Sequence, residues 1–306
     1  MEKGRLKGYS MTKKSFFLLS LTAIIWGFAF TAQRVGGGYL GNFSFNGLRY
    51  LLGTCSLIPV ILLFEKGPTD KKKKKSTLIY GTITGCILFT ASALQQAGIN
   101  LTGSAGKSGF ITGLYLVLVP FFGMFLGKKI RPITWVAAAL AVGGLYLISF
   151  SGATTFGWGD GVLLLGTIFW AAHILIIDKA GDQVYSIRYS CVQFFVCALL
   201  NLALIPFLET PTLSDVRMAL IPLLYSGVMS TGVAYTCQVL GQKNTDPALA
   251  SLILSTETVF SAVGGALILG ERMSPGGYVG CILIFAAILI CQVDPKLFQK
   301  LRKSNR

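Results

Sequence analysis

Histidine occurs once in the 306 residues, carboxylates number only 12, and charged side chains make up 13% of the chain. Ordinary globular chains carry about 25% charged residues. A membrane-bound enzyme would need His, Cys or acidic ligands clustered near one interface. This chain has too few to supply them, and a lone His173 is no metal site. The seven cysteines (Cys55, Cys86, Cys191, Cys197, Cys237, Cys281, Cys291) lie in apolar runs without zinc spacing, so they read as small packing residues. Long polar stretches are missing too. The longest expected loop, about 65–77, leaves no room for a soluble catalytic or nucleotide-binding domain. That excludes ATP as a direct energy source, and no cofactor is implied. The period-two alternation of a membrane barrel is also absent.

What is present is apolar sequence. Hydrophobic residues make up 53% of the chain, and mean hydropathy is +0.66. About 20 apolar residues span the hydrocarbon core as a helix. Ten such runs are predicted: 16–35, 44–64, 78–99, 104–126, 132–150, 160–178, 188–208, 218–240, 247–269 and 275–293. The first lacks a clear cleavage site and reaches Trp26, Gln33 and Arg34, so it reads as a retained helix.

The net charge of +15 invites a nucleic-acid reading, but its distribution argues against one. With a cytoplasmic N-terminus and ten spans, all but five of the 27 Lys and Arg fall on the cytoplasmic side. That bias orients a membrane protein and places both termini inside. The Lys71–Lys75 run is then an orientation signal that also meets anionic lipid. Arg34, Arg49 and Lys107 are three of the five exceptions, and snorkelling to the outer interface is the expected account of them.

A segment from Gln95 to Pro132 recurs from Gln238 to Pro275 at a constant offset of 143 residues. Each copy sits in a five-helix half, and an odd number of spans turns the second half over in the bilayer. The expected organisation is a cytoplasmic tail at 1–15, halves at 16–150 and 151–293, and a basic tail at 294–306.

Further residues carry a family resemblance. They are Trp26-Gly27 in the first run, Leu254-Ser-Thr-Glu257-Thr-Val-Phe260, and Gly264-Gly-Ala-Leu-Ile-Leu-Gly270-Glu271-Arg272. With ten helices in two inverted halves, the chain resembles the EamA branch of the drug/metabolite transporter superfamily. Thr258 stands where that family typically has proline after the glutamate. The resemblance implies an all-α membrane basket around a central cavity. It also implies export of amino acids or related small metabolites across the bacterial inner membrane by alternating access, with a small molecule as the partner.

Candidate binding residues follow from the repeat. Ser108, Thr112 and Tyr115 share one helical face, and the 143-residue offset carries them onto Ser251, Ser255 and Thr258. Gln95 matches Gln238, and Trp26 matches Trp170. Tyr235 and the single His173 complete the binding set. Glu257 is the only carboxylate deep in a run, hence the candidate for coupling. It lies about 100° from Thr258 around a helix, so cavity-facing and neighbour-facing placements both stay open.

Overall fold

The computed structural model describes residues 11–65, 70–149, 157–243, 245–272 and 274–292. Residues 1–10, most of the expected cytoplasmic N-terminal tail, and the basic C-terminal tail lie outside the described residues. The described chain is helical throughout, with no strands.

The helices of the first part are α1 (Lys13–Gly36), α2 (Asn42–Phe64), α3 (Lys71–Thr102), α4 (Ala105–Gly113), α5 (Tyr115–Phe125) and α6 (Pro132–Ser149). Those of the second are α7 (Trp158–Ala180), α8 (Ser186–Leu208), α9 (Leu213–Met218), α10 (Leu220–Leu224), α11 (Tyr235–Gln242), α12 (Pro247–Leu254), α13 (Glu257–Leu269) and α14 (Pro275–Gln292). A π-helical segment, Tyr225–Ala234, joins α10 to α11. Eight of the resulting rods are long and apolar enough to cross a membrane, and two shorter apolar stretches, Pro132–Leu147 and Pro275–Ile290, accompany them.

Local chemistry explains the boundaries. The Asp70 carboxylate accepts from Lys72 N at 2.8 Å and starts α3 inside the lysine run. Lys71–Lys75 therefore forms the first turns of a helix, which corrects the expected loop at 65–77. Lysine is a good helix former, so the cap decides the start. Ser104 caps α4, and Asp246 with Pro247 begins α12. Gly127 and Gly270, 143 residues apart, both take positive φ (77° and 70°), where a side chain would be strained.

Two runs expected as continuous helices are bent. At Leu114 and again at Ser255–Thr256 the backbone bonds shorten to the i−3 pattern: Leu114 N to Ile111 O at 3.2 Å, Thr256 N to Ile253 O at 3.1 Å. The second bend forms without the family's proline. There the Ser255 and Thr256 hydroxyls bond back to Leu252 O and Ile253 O, which loosens the helix at that turn.

Packing follows paired partners. α2 lies against α8, α6 against α14, α3 against α7 and α8, and α1 against α11, α13 and the π segment. α2 and α8 cap one another. Glu209, the residue closing α8, accepts from Phe43 N (2.9 Å), Ser44 N (2.7 Å) and Ser44 Oγ (2.6 Å) at the start of α2. Glu65, closing α2, accepts from Ile187 N (3.0 Å) and Arg188 N (3.3 Å) at the start of α8. The pair is therefore antiparallel. Each carboxylate satisfies orphan N–H groups and sits at a positive helix end.

The surface is apolar and the interior holds polar groups. Phe64, Phe125, Phe207 and Ile221 are exposed, while Gln96, Gln193, Gln238 and Gln242 are fully buried. That inversion suits a chain whose solvent is lipid.

Candidate functional site

A small cavity of about 30 Å³ lies among α1, α2, α3, α4, α5, α7, α11, α13 and the π segment. α1 supplies Trp26, Ala29, Phe30 and Gln33, spaced i, i+3, i+4 and i+7, so one stripe of the helix faces inward. α7 supplies Trp170 and Ile174, which stand 144 residues beyond Trp26 and Phe30. α3 and α11 supply the matched Gln95 and Gln238.

Three aromatic residues form one wall. Tyr235 meets the Trp26 ring edge-on at 4.6 Å and stacks on Trp170 at 6.3 Å, and the two indoles are 6.4 Å apart. The Trp26 indole N–H donates to Ser230 O at 3.2 Å, a carbonyl of the π segment. α1 is held close by Gly27. A Cβ there would come within 2.2 Å of Phe260 Cβ and 2.7 Å of Glu257 O. Its missing side chain thus sets the spacing between Trp26 and Glu257.

Of the residues expected from sequence, Trp26, Gln95, Thr112, Tyr115, Trp170, Tyr235, Gln238 and Glu257 line this cavity. Five do not. Ser108 is buried and bonds Ser104 O at 2.7 Å and Thr102 Oγ1 at 2.9 Å, tying α4 to the end of α3. Ser251 and Ser255 bond their own helix at Ala248 O and Leu252 O. Thr258 donates to Gly109 O at 2.9 Å and joins α13 to α4. His173 sits behind the wall, its Nε2 3.0 Å from Gln193 Oε1 and its ring edge-on to Tyr235 and Trp170. These four hydroxyls are taken up by bonds to backbone carbonyls or to Thr102 Oγ1. Glu257, just past the second bend, lines the cavity with Tyr115. The two side chains meet there as a buried pair.

Arg49, Gln33 and Ser230 line the cavity without having been expected there. Arg49 corrects the snorkelling account, because it is 2% exposed and points into the protein. Sequence carried one hint of Gln33, the apolar period of α1. The π segment carried another, its Gly- and Ser-rich composition. Lys107 does not snorkel either; its ammonium pairs with Asp160 at 2.7 Å.

The cavity holds buried polar atoms that have no partner among the described residues. They include Thr112 Oγ1, Trp170 Nε1, Arg49 Nε and both amide atoms of Gln238. An unpaired buried polar group costs about 1–3 kcal/mol. Several such atoms around one cavity suit a site that receives a polar guest. No group of three or more His, Cys, Asp or Glu able to hold a metal exists among the described residues.

Comparison with known proteins places this geometry. The model of the EamA-like transporter family matches twice, at residues 13–150 and 157–292. An uncharacterized transporter of Archaeoglobus fulgidus is 28% identical over 275 residues, covering 89% of this chain and 83% of the relative. The uncharacterized inner membrane transporter YedA of Escherichia coli K12 is 22% identical, covering 87% of each chain. One solved crystal structure, 18% identical, superposes with a TM-score of 0.74 over 95% of this chain and 99% of the other, a likeness of fold.

Proposed function

Given that the chain belongs to the EamA-like transporter family, we propose that this multi-pass membrane transporter is secondary-active. It exports a small metabolite by alternating access, with amino acids or related compounds as the first candidates. It works in the bacterial inner membrane with both termini cytoplasmic. Ten spans in two inverted halves, 16–150 and 151–293, form the basket. The two separate matches to one family model support this layout. So do the mutual caps of α2 and α8, in which Glu65 and Glu209 play the same part 144 residues apart.

The observation that carries the proposal is the cavity wall of aromatic rings and unpartnered hydrogen-bonding atoms. Such a wall binds a solute that is part apolar and part polar. Glu257 is the only carboxylate on that wall and is 3% exposed. Intramembrane carboxylates of this kind serve proton relays. The driving force is then the proton gradient or the solute's own gradient.

The test is counterflow in proteoliposomes loaded with individual amino acids. A carrier shows uptake of labelled solute accelerated by the same solute inside. Flux without such acceleration, rising linearly with the gradient, identifies a passive facilitator and overturns alternating access.

A further inference from the structure

Among the described residues, Arg49 makes no ion pair. It is 2% exposed, lies on the cavity wall, and makes one hydrogen bond, from Nη2 to Tyr50 OH at 3.2 Å. Its Nε–H is buried without a partner. A guanidinium has five N–H donors in a fixed fork. Partial compensation comes from the Tyr50 ring, 4.7 Å from the guanidinium carbon, and from Phe45 at 6.0 Å. An arginine placed within a span is unfavourable by several kcal/mol unless something offsets it. Rings alone use its charge and leave its donors idle.

Glu257, the carboxyl on the cavity lining, forms no ion pair with Arg49 among the described residues. Arg49 is seven residues into α2, about 10 Å along its axis, so it stands inside the helix and away from its end.

We propose that Arg49 is the receptor for an anionic group of the transported molecule, a carboxylate or a phosphate. This rests on the transporter reading above and narrows its substrate class. The fork accepts two oxygens of such a group side by side. The rest of the molecule then packs on the rings of Tyr235, Trp26 and Trp170.

The purified full chain is tested for thermal stabilisation and counterflow. The probes are the standard amino acids, their amino alcohols, the matching carboxylic acids without an amine, and glycerol 3-phosphate. At least one acid-bearing class stabilises the wild type, and the amino alcohols do not. Arg49→Gln and Arg49→Met each weaken that binding by about 10- to 100-fold, and Arg49→Lys recovers part of it. Without ligand, both neutral variants melt at or above the wild-type temperature, because no carboxylate loses a partner.

Unchanged affinity in the neutral variants overturns the assignment. So does equal binding of the amino alcohols, a loss of ligand-free stability in both neutral variants, or no anion binding at all. Amino acids carried with undiminished affinity by Arg49→Gln would sink the Arg49 assignment alone. Acids bound through Arg49 but never carried would sink the transport reading alone. Binding of glycerol 3-phosphate instead of carboxylates keeps Arg49 as the receptor and fixes the group as phosphate.

Discussion

The bend between α4 and α5 and the bend between α12 and α13 occupy equivalent places. The first lies at Leu114 and the second at Ser255–Thr256, and Glu257, 143 residues after Leu114, opens α13 just past it. The backbones match, since both shorten to i−3 bonding. The chemistry does not. In the first copy the residue after Leu114, Tyr115, lines the cavity. In the second, Glu257 itself lines it, while Thr258, the counterpart of Tyr115, turns away to Gly109 O. The two copies thus share a broken helix and differ by one position in what they show the cavity. The difference teaches that the bend is architecture and the side chain beside it is function. Tyr115 and Glu257, unrelated by the repeat, pair with each other on the cavity lining.

The largest effect expected from this contrast is at Glu257. Glu257→Gln keeps the shape and removes the titrating proton. Flux in proteoliposomes between pH 6 and 8 falls by about tenfold or more, a change worth roughly 1.4 kcal/mol, and loses its pH dependence. Leu114→Gln, at the equivalent place, leaves the pH profile as it was. A preserved profile in Glu257→Gln would return that carboxyl to a structural role.

The next pair asks which hydroxyl serves the solute. Tyr115→Phe removes the hydroxyl paired with Glu257 on the cavity lining and lowers transport several-fold. Thr258→Val does the reverse. It loses the bond to Gly109 O, worth about 1 kcal/mol, and transport persists once the protein is folded. Identical behaviour of the two variants would erase the distinction between the bends.

The smallest effect is in the hydroxyl stripe. Thr112→Val removes an unpartnered cavity atom and shifts the half-saturating concentration by a few-fold. Ser255→Val removes a hydroxyl bonded to Leu252 O and leaves that concentration unchanged. Equal shifts in both would restore the stripe expected from sequence.

Much of the fold was legible because a bilayer demands long apolar helices, and these stand out in any sequence. The matched Gln95 and Gln238 and the matched indoles were legible because the duplication preserved them. Arg49 was not, because a cation near the start of a run resembles an interfacial anchor until neighbouring helices are placed around it. Ser251 and Ser255 misled for a related reason. Hydroxyls at helical spacing look alike whether they serve a solute or bond back to their own turn. The π segment left only a weak compositional trace, since a wider turn depends on tertiary contacts such as Trp26 with Ser230 O and Thr22 with Ala234 O.

The mutual capping of α2 and α8 has a mechanical consequence. Two rods clamped to each other at both ends cannot slide lengthwise, because a shift of one residue, about 1.5 Å, would pull both carboxylates off their N–H groups. The pair is therefore expected to move as one body in the transport cycle, carrying Arg49 with it. Covalently joining positions 65 and 187 would then leave transport running, and a cross-link that stalls it would show that the two helices shift past each other.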